Sequence, residues 1–308
     1  MSTGSSSQLT SRLADTKGGA TNERADRRSG LRPILILLAV WIFALVPLLF
    51  VRTEWFGRPL SDQQIGEYLH AEQPYLVEHA LAQIGDRMAR RDNSVTIWYS
   101  DLVRLAGHPS PDVRALDATV MGSDSRHQAF RDRLHSLLED PSRLVRFRAA
   151  LALARLGDPS GHAEIVNGVQ PWTIAAPDSG KVGELARPGA WVKQSTTVAR
   201  MEVANGTKNL LAPVNGRVSA VAYNPSDFVP REYEILRIDP APDVIADVLT
   251  GLAAVGGRED LALVSELGSR TSLPERVRQQ AAFAAYSIRT RLEQAGTPTS
   301  LPQPLPAN

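Results

Sequence analysis

A helical pattern recurs along this chain at a fixed interval, and then it skips. In "HPSPDVRALDATVMG" and "EDPSRLVRFRAALALARLGDPS", Val113 and Val145 hold equivalent places thirty-two residues apart. In "APDVIADVLTGLAAVG" and "LPERVRQQAAFAAYSI", Val244 and Val277 are thirty-three apart. A period of this size marks stacked helical pairs, none of which covers its own apolar face without a neighbour. Val145 to Val244, however, is ninety-nine residues, one period plus about sixty-six. Something as large as a small domain is therefore inserted inside the stack.

Local signals agree with helices on both sides of the gap. Ser61 with Gln64 forms a capping box, and Pro74 suits a first helical position. In the segment from Glu139 to Ser160, Leu144, Val145, Ala149, Leu151, Ala152, Leu153 and Leu156 supply an apolar stripe with small residues for close packing. The phrase from Asp140 to Gly157 resembles HEAT repeats of the phycobilisome-lyase-like type, and "QPYLVEHALAQIG" is a weaker first copy. The resemblance implies a helical solenoid. It also brings in bilin attachment, by analogy of fold alone.

The insert contains one phrase twice. Ala176-Pro177, Gly180 and Val182 recur thirty-six residues on as Ala212-Pro213, Gly216 and Val218; Val192, Val198 and Arg200 recur thirty-seven on as Val229, Ile235 and Arg237. Alternating Val, Ile, Leu and Tyr around turn glycines predicts short strands, and two such halves would close a small sandwich. This doubled half resembles the biotinyl/lipoyl domain, or barrel-sandwich hybrid, above all that of periplasmic adaptor (membrane-fusion) proteins. In carrier members of that family a lysine on the central hairpin takes the cofactor. Aligned back from Ala212-Pro213, that position falls on Asn205, whose amide cannot; Lys208 lies three residues on. Adaptors carry a long helical hairpin between the halves, whereas Ala204 to Lys208 leaves room only for a tight Asn-Gly turn.

Residues 1–30 are too poor in large apolar side chains to fold alone. Pro33 to Val51 then runs nineteen residues without a charge, close to what a helix needs to cross a bilayer. The stretch is long for a signal peptide, and no small-x-small site precedes Arg52, Glu54 and Arg58, so a signal anchor is the better reading. Arg24, Arg27, Arg28 and Arg32 crowd the N-terminal flank, which places that end in the cytoplasm and the bulk of the chain in the periplasm or outside.

Chemistry is sparse. A net charge of +1 gives no field to gather a polyanion, and with no cysteine there are no disulfides, thiolate metal sites or cysteine nucleophiles. No P-loop, G-x-S-x-G or G-x-G-x-x-G occurs. His70, His79, His108, His127, His135 and His162 show no metal-ligand spacing and no near neighbours suited to an ion. Arg126 to His135 reads as a solvated basic face, Asp140 and Asp158 as helix caps, Arg146 and Arg148 as their partners between repeats, and Trp172 and Trp191 as strand or edge packing.

These readings give a multi-domain chain: a single transmembrane helix, an α-helical HEAT-like solenoid and an inserted all-β barrel-sandwich hybrid. The expected divisions are a disordered cytoplasmic tail (1–30), a membrane helix (31–52), helical repeats (61–168 with 241–293), the β insert (169–240) and a Pro-rich tail (295–308). The expected role is a membrane-anchored, non-enzymatic scaffold of the inner (cytoplasmic) membrane that organises envelope proteins, without cofactor, metal or nucleic acid. Alternatives are a periplasmic adaptor-like subunit of a transporter or secretion system, a biotin/lipoyl-type carrier through Lys208, and a bilin- or haem-handling protein.

Overall fold

The computed structural model describes residues 59–296, which from Leu60 onward belong to one compact unit. Pro33 to Val51 lies outside the described residues; among those described, no helix is long and apolar enough to cross a membrane.

Among the described residues are ten α-helices and two antiparallel sheets. Before the insert run α1 (Asp62–Leu69), α2 (Pro74–Ala89), α3 (Tyr99–Leu105), α4 (Pro111–Met121), α5 (Gln128–Leu137), α6 (Arg143–Arg155) and α7 (His162–Asn167); after it come α8 (Pro242–Val255), α9 (Leu261–Ser269) and α10 (Glu275–Gly296). The expected capping box opens α1, with Ser61 Oγ accepting from the Gln64 N–H and Gln64 Oε1 from the Ser61 N–H. Pro74, Pro111 and Pro242 begin α2, α4 and α8, where a missing N–H leaves no helical bond unmade. Helix α10 runs two residues into the stretch expected as tail, to Gly296.

The helices α2, α4, α6, α8 and α10 pack in that order, each against the next. Val77, Val113, Val145, Val244 and Val277 lie buried at the same place in all five. Helix α6 is the middle of the stack and is buried nearly all round, through Leu144, Val145, Phe147 and the run from Ala149 to Ala154. Its direct packing on α8 makes the repeats on either side of the insert neighbours in space.

The insert holds β1 (Trp172–Ala175), β2 (Gly180–Leu185), β3 (Trp191–Val192), β4 (Thr197–Val203), β5 (Gly206–Leu211), β6 (Gly216–Val221), β7 (Phe228–Val229) and β8 (Glu234–Pro240). One sheet has the order β1-β8-β6-β3, the other β5-β4-β2-β7. Exchanging β1 with β5, β2 with β6, β3 with β7 and β4 with β8 turns one order into the other, so the written repeat is a structural one. The equivalence extends to single residues. Gly180 pairs with Val229 and Lys181 with Phe228, as Gly216 pairs with Val192 and Arg217 with Trp191. Ser195 and Glu232, equivalent positions, share a left-handed backbone at φ 62° and 70°. The two glycines are there for room: a Cβ on Gly180 would lie 2.3 Å from the Glu202 carbonyl oxygen, and one on Gly216 2.2 Å from that of Asp239.

Chain entry and exit are adjacent, since β1 and β8 pair antiparallel with Trp172 opposite Ile238. A unit with neighbouring ends enters a stack without forcing its repeats apart.

Candidate functional site

Three places in the described residues gather polar or exposed aromatic groups: the far end of the β unit, its open edges, and a series of turns along the stack.

The β unit is joined to the stack at one end. Trp172 is fully buried, edge-on to Phe147 at 5.6 Å between centroids, with the Arg143 guanidinium 4.1 Å over its ring. Arg143 also donates to the carbonyls of Pro171 and Asn167, at 2.9 and 2.6 Å. On the other side Asn215 bridges the unit, accepting from the Gln194 N–H and donating to Asp243 of α8. Internal symmetry makes the opposite end a copy of this one, with different side chains. Lys208 stands where Trp172 does, and half-buried Asp178 where Val214 is fully buried. Lys208 pairs with Asp178, whose carboxyl that bond and charge hold below the ordinary range.

The expected Asn-Gly turn is displaced by one residue. The two turn residues are Ala204 and Asn205, closed by Val203 opposite Gly206, whose φ is 114°. Asn205 is thus at the tip, while Lys208 lies on β5 opposite Met201 and is engaged by Asp178. Neither offers a free tip amine for a carrier. Trp191 departs from its expected packing role: it is 69% exposed on edge strand β3, and its counterpart Phe228 is 63% exposed on edge strand β7. Between the halves lies a groove of about 620 Å³, lined by the equivalent pairs Leu185 and Val221, Ala186 and Ala222, and Pro188 and Pro225.

Along the stack, an aspartate in the turn of one repeat accepts from a side chain of the repeat before it. The Tyr99 hydroxyl donates to Asp124 at 2.7 Å; His135 Nε2 meets Asp158 at 2.9 Å; His162 Nε2 meets Asp260 at 2.8 Å. Each acid also organises its own turn, binding the backbone N–H of Arg126, Ser160 and Gly257 respectively. Burial pushes the Tyr99 phenol up to about 12, with Asp124 adding to the rise. Burial would raise Asp124 and Asp158 too. The N–H and side-chain bonds outweigh it and hold both below the ordinary carboxylate range. Beside the first of these contacts is a polar pocket of about 480 Å³, with Arg91, Asn93, Ser123 and Arg126 at its wall.

Asp158 caps as expected, at the 3-10 turn Pro159–Gly161, whereas Asp140 is not a helix cap: Ser142 is the N-cap of α6, and Asp140 binds the Ser142 N–H and forms a two-pronged pair with Arg114 at 2.7 and 2.8 Å. Arg146 reaches Glu164, and Arg148 reaches Asp247 across the insert. The basic run is only partly a solvated face, for Phe130 and Leu134 in it are fully buried. The expectation that no histidine has neighbours suited to an ion is corrected by His162, which the fold brings beside Asp260 and Glu259. Ninety-eight residues separate His162 from Asp260, so no local motif could reveal the contact. The acids themselves leave a trace, Asp92, Asp124 and Asp158 recurring thirty-two and thirty-four apart.

HEAT repeats as a family match residues 100–164, and that region is HEAT-like. No curated protein matches the chain. Among solved structures, the chain is similar to a single-chain, multi-domain long-chain acyl-CoA carboxylase, at 22% identity and a TM-score of 0.23, over 41% of this chain. The match spans 11% of that protein's length.

Proposed function

We propose that this chain is a membrane-anchored, non-enzymatic scaffold that organises other proteins of the cell envelope, with the helical stack as its arm and the β unit as its docking head. The observation that carries the reading is the pair of outward aromatics, Trp191 and Phe228, at equivalent places on the two open edges β3 and β7. Exposed edge strands with large apolar side chains are surfaces that other chains can use. The β unit reads as a barrel-sandwich hybrid of the biotinyl/lipoyl kind, supported by the doubled half and the exchanged sheet orders. The anchor reading rests on Pro33 to Val51 and the arginines before it, and under it the stack and β unit would be periplasmic or extracellular.

A second reading is an adaptor-like subunit of a transporter or secretion system. Pseudo-equivalent edges favour it, because the β3 edge of one copy can meet the β7 edge of the next and so close a ring. A photo-cross-linking residue at position 191 or 228, in full-length protein in native membranes, tests both. Adducts to other envelope proteins support the scaffold; adducts between copies, the adaptor. Free monomer without adducts refutes the pair.

A further inference from the structure

The three turn contacts along the stack are not alike. At the first, Asp124 meets a phenol; at the second, Asp158 meets His135 and the Ser160 hydroxyl. At the third, Asp260 meets His162, and a second carboxylate, Glu259, joins them. One ligand atom from each of these three residues lies within 4.8 Å of the others, the one such group among the described residues.

Several features prepare the group for an ion. The Glu259 side chain is exposed, yet it folds back over Gly257, where a Cβ would come within 2.5 Å of both its carboxylate oxygens. A side chain at 257 would push the Glu259 carboxylate away from this position. Asp260 is buried, and its Oδ2 is fixed by the Gly257 N–H at 2.7 Å, the kind of outer bond that orients a ligating carboxylate. His162 is about a third exposed, so the group opens to solvent.

We infer that His162, Glu259 and Asp260 form a divalent-cation site, with an imidazole and two carboxylates suited to Zn²⁺. Tetrahedral bonds of about 2.05 Å put neighbouring ligand atoms about 3.3 Å apart. His162 Nε2 and Asp260 Oδ2, at 2.8 Å, need open only slightly as the ion replaces their shared proton, and rotation of exposed Glu259 supplies the third ligand. Water completes the shell. The ion would tie α7, just before the insert, to the turn after α8, so that the repeats carrying the β unit open less readily.

The test uses full-length, untagged protein in detergent, titrated with zinc sulfate alone and followed by calorimetry, bound-metal analysis and melting temperature. One zinc per chain and a melting temperature raised by several degrees are expected. Glu259→Gln should weaken binding at least about tenfold while leaving the melting of metal-free protein unchanged, because Glu259 is exposed. His135→Gln, at the contact without a second carboxylate, should leave zinc affinity as it is. Absence of stoichiometric zinc, or binding that survives both Glu259→Gln and His162→Gln, overturns the site.

Discussion

Replacing Asp117 with alanine should make this protein more stable, and increasingly so as pH rises. Asp117 on α4 occupies the place held by Leu81, Ala149, Val248 and Ala281 on the other stacked helices, all buried. It is fully buried itself, and both carboxylate oxygens lack a hydrogen-bond partner. Burial pushes its pKa well above the ordinary value, with the Arg104 charge opposing. A buried polar group without partners costs about 1–3 kcal/mol even when neutral. The gap left by Asp117→Ala, roughly 20–25 Å³ at about 24 cal/mol per Å³, returns only about 0.5 kcal/mol of that. The expected net gain is about 0.5–2.5 kcal/mol. Unfolded, an aspartate titrates near pH 3.9; folded, this one keeps its proton to higher pH, so between those values the native state binds more protons. Wild-type stability then falls as pH rises, by about 1.4 kcal/mol per unit, until the folded-state pKa is passed. Alanine abolishes that fall. Urea unfolding followed by far-ultraviolet circular dichroism at pH 4.5, 6 and 7.5 measures it, with Asp117→Asn separating the loss of titration from the loss of polarity. A variant less stable than wild type at pH 7.5, or a difference that does not change with pH, refutes the reasoning.

Other consequences follow from the joint and the glycines. Trp172→Ala removes the edge contact to Phe147 and the ring under Arg143, a loss of about 3–5 kcal/mol for a buried tryptophan; limited proteolysis should then cut near residues 168–172 before either part is degraded. Gly180→Ala and Gly216→Ala should lower the melting temperature by similar amounts, since equivalent carbonyl oxygens block each new Cβ. A large difference between them would deny the internal symmetry.

Local and periodic features were open to reading from the sequence, and the reason is physical. Caps such as Ser61 with Gln64 satisfy backbone groups within one turn, and the spaced valines repeat because each helix presents one stripe to its neighbour. The doubled phrase announced the paired sheets because equivalent strands need glycine and apolar residues at equivalent places. Tertiary structure alone decided which end of a nearly symmetric β unit meets the stack: Trp172 and Val214 make one end apolar, while Lys208 and Asp178 keep its copy in water. It alone brought His162 to Asp260, and it alone left Asp117, which the repeat already sets at a core position, without a hydrogen-bond partner. Such contacts depend on which surfaces meet after the chain has turned back on itself, and residues far apart in sequence carry no periodic mark of having been joined.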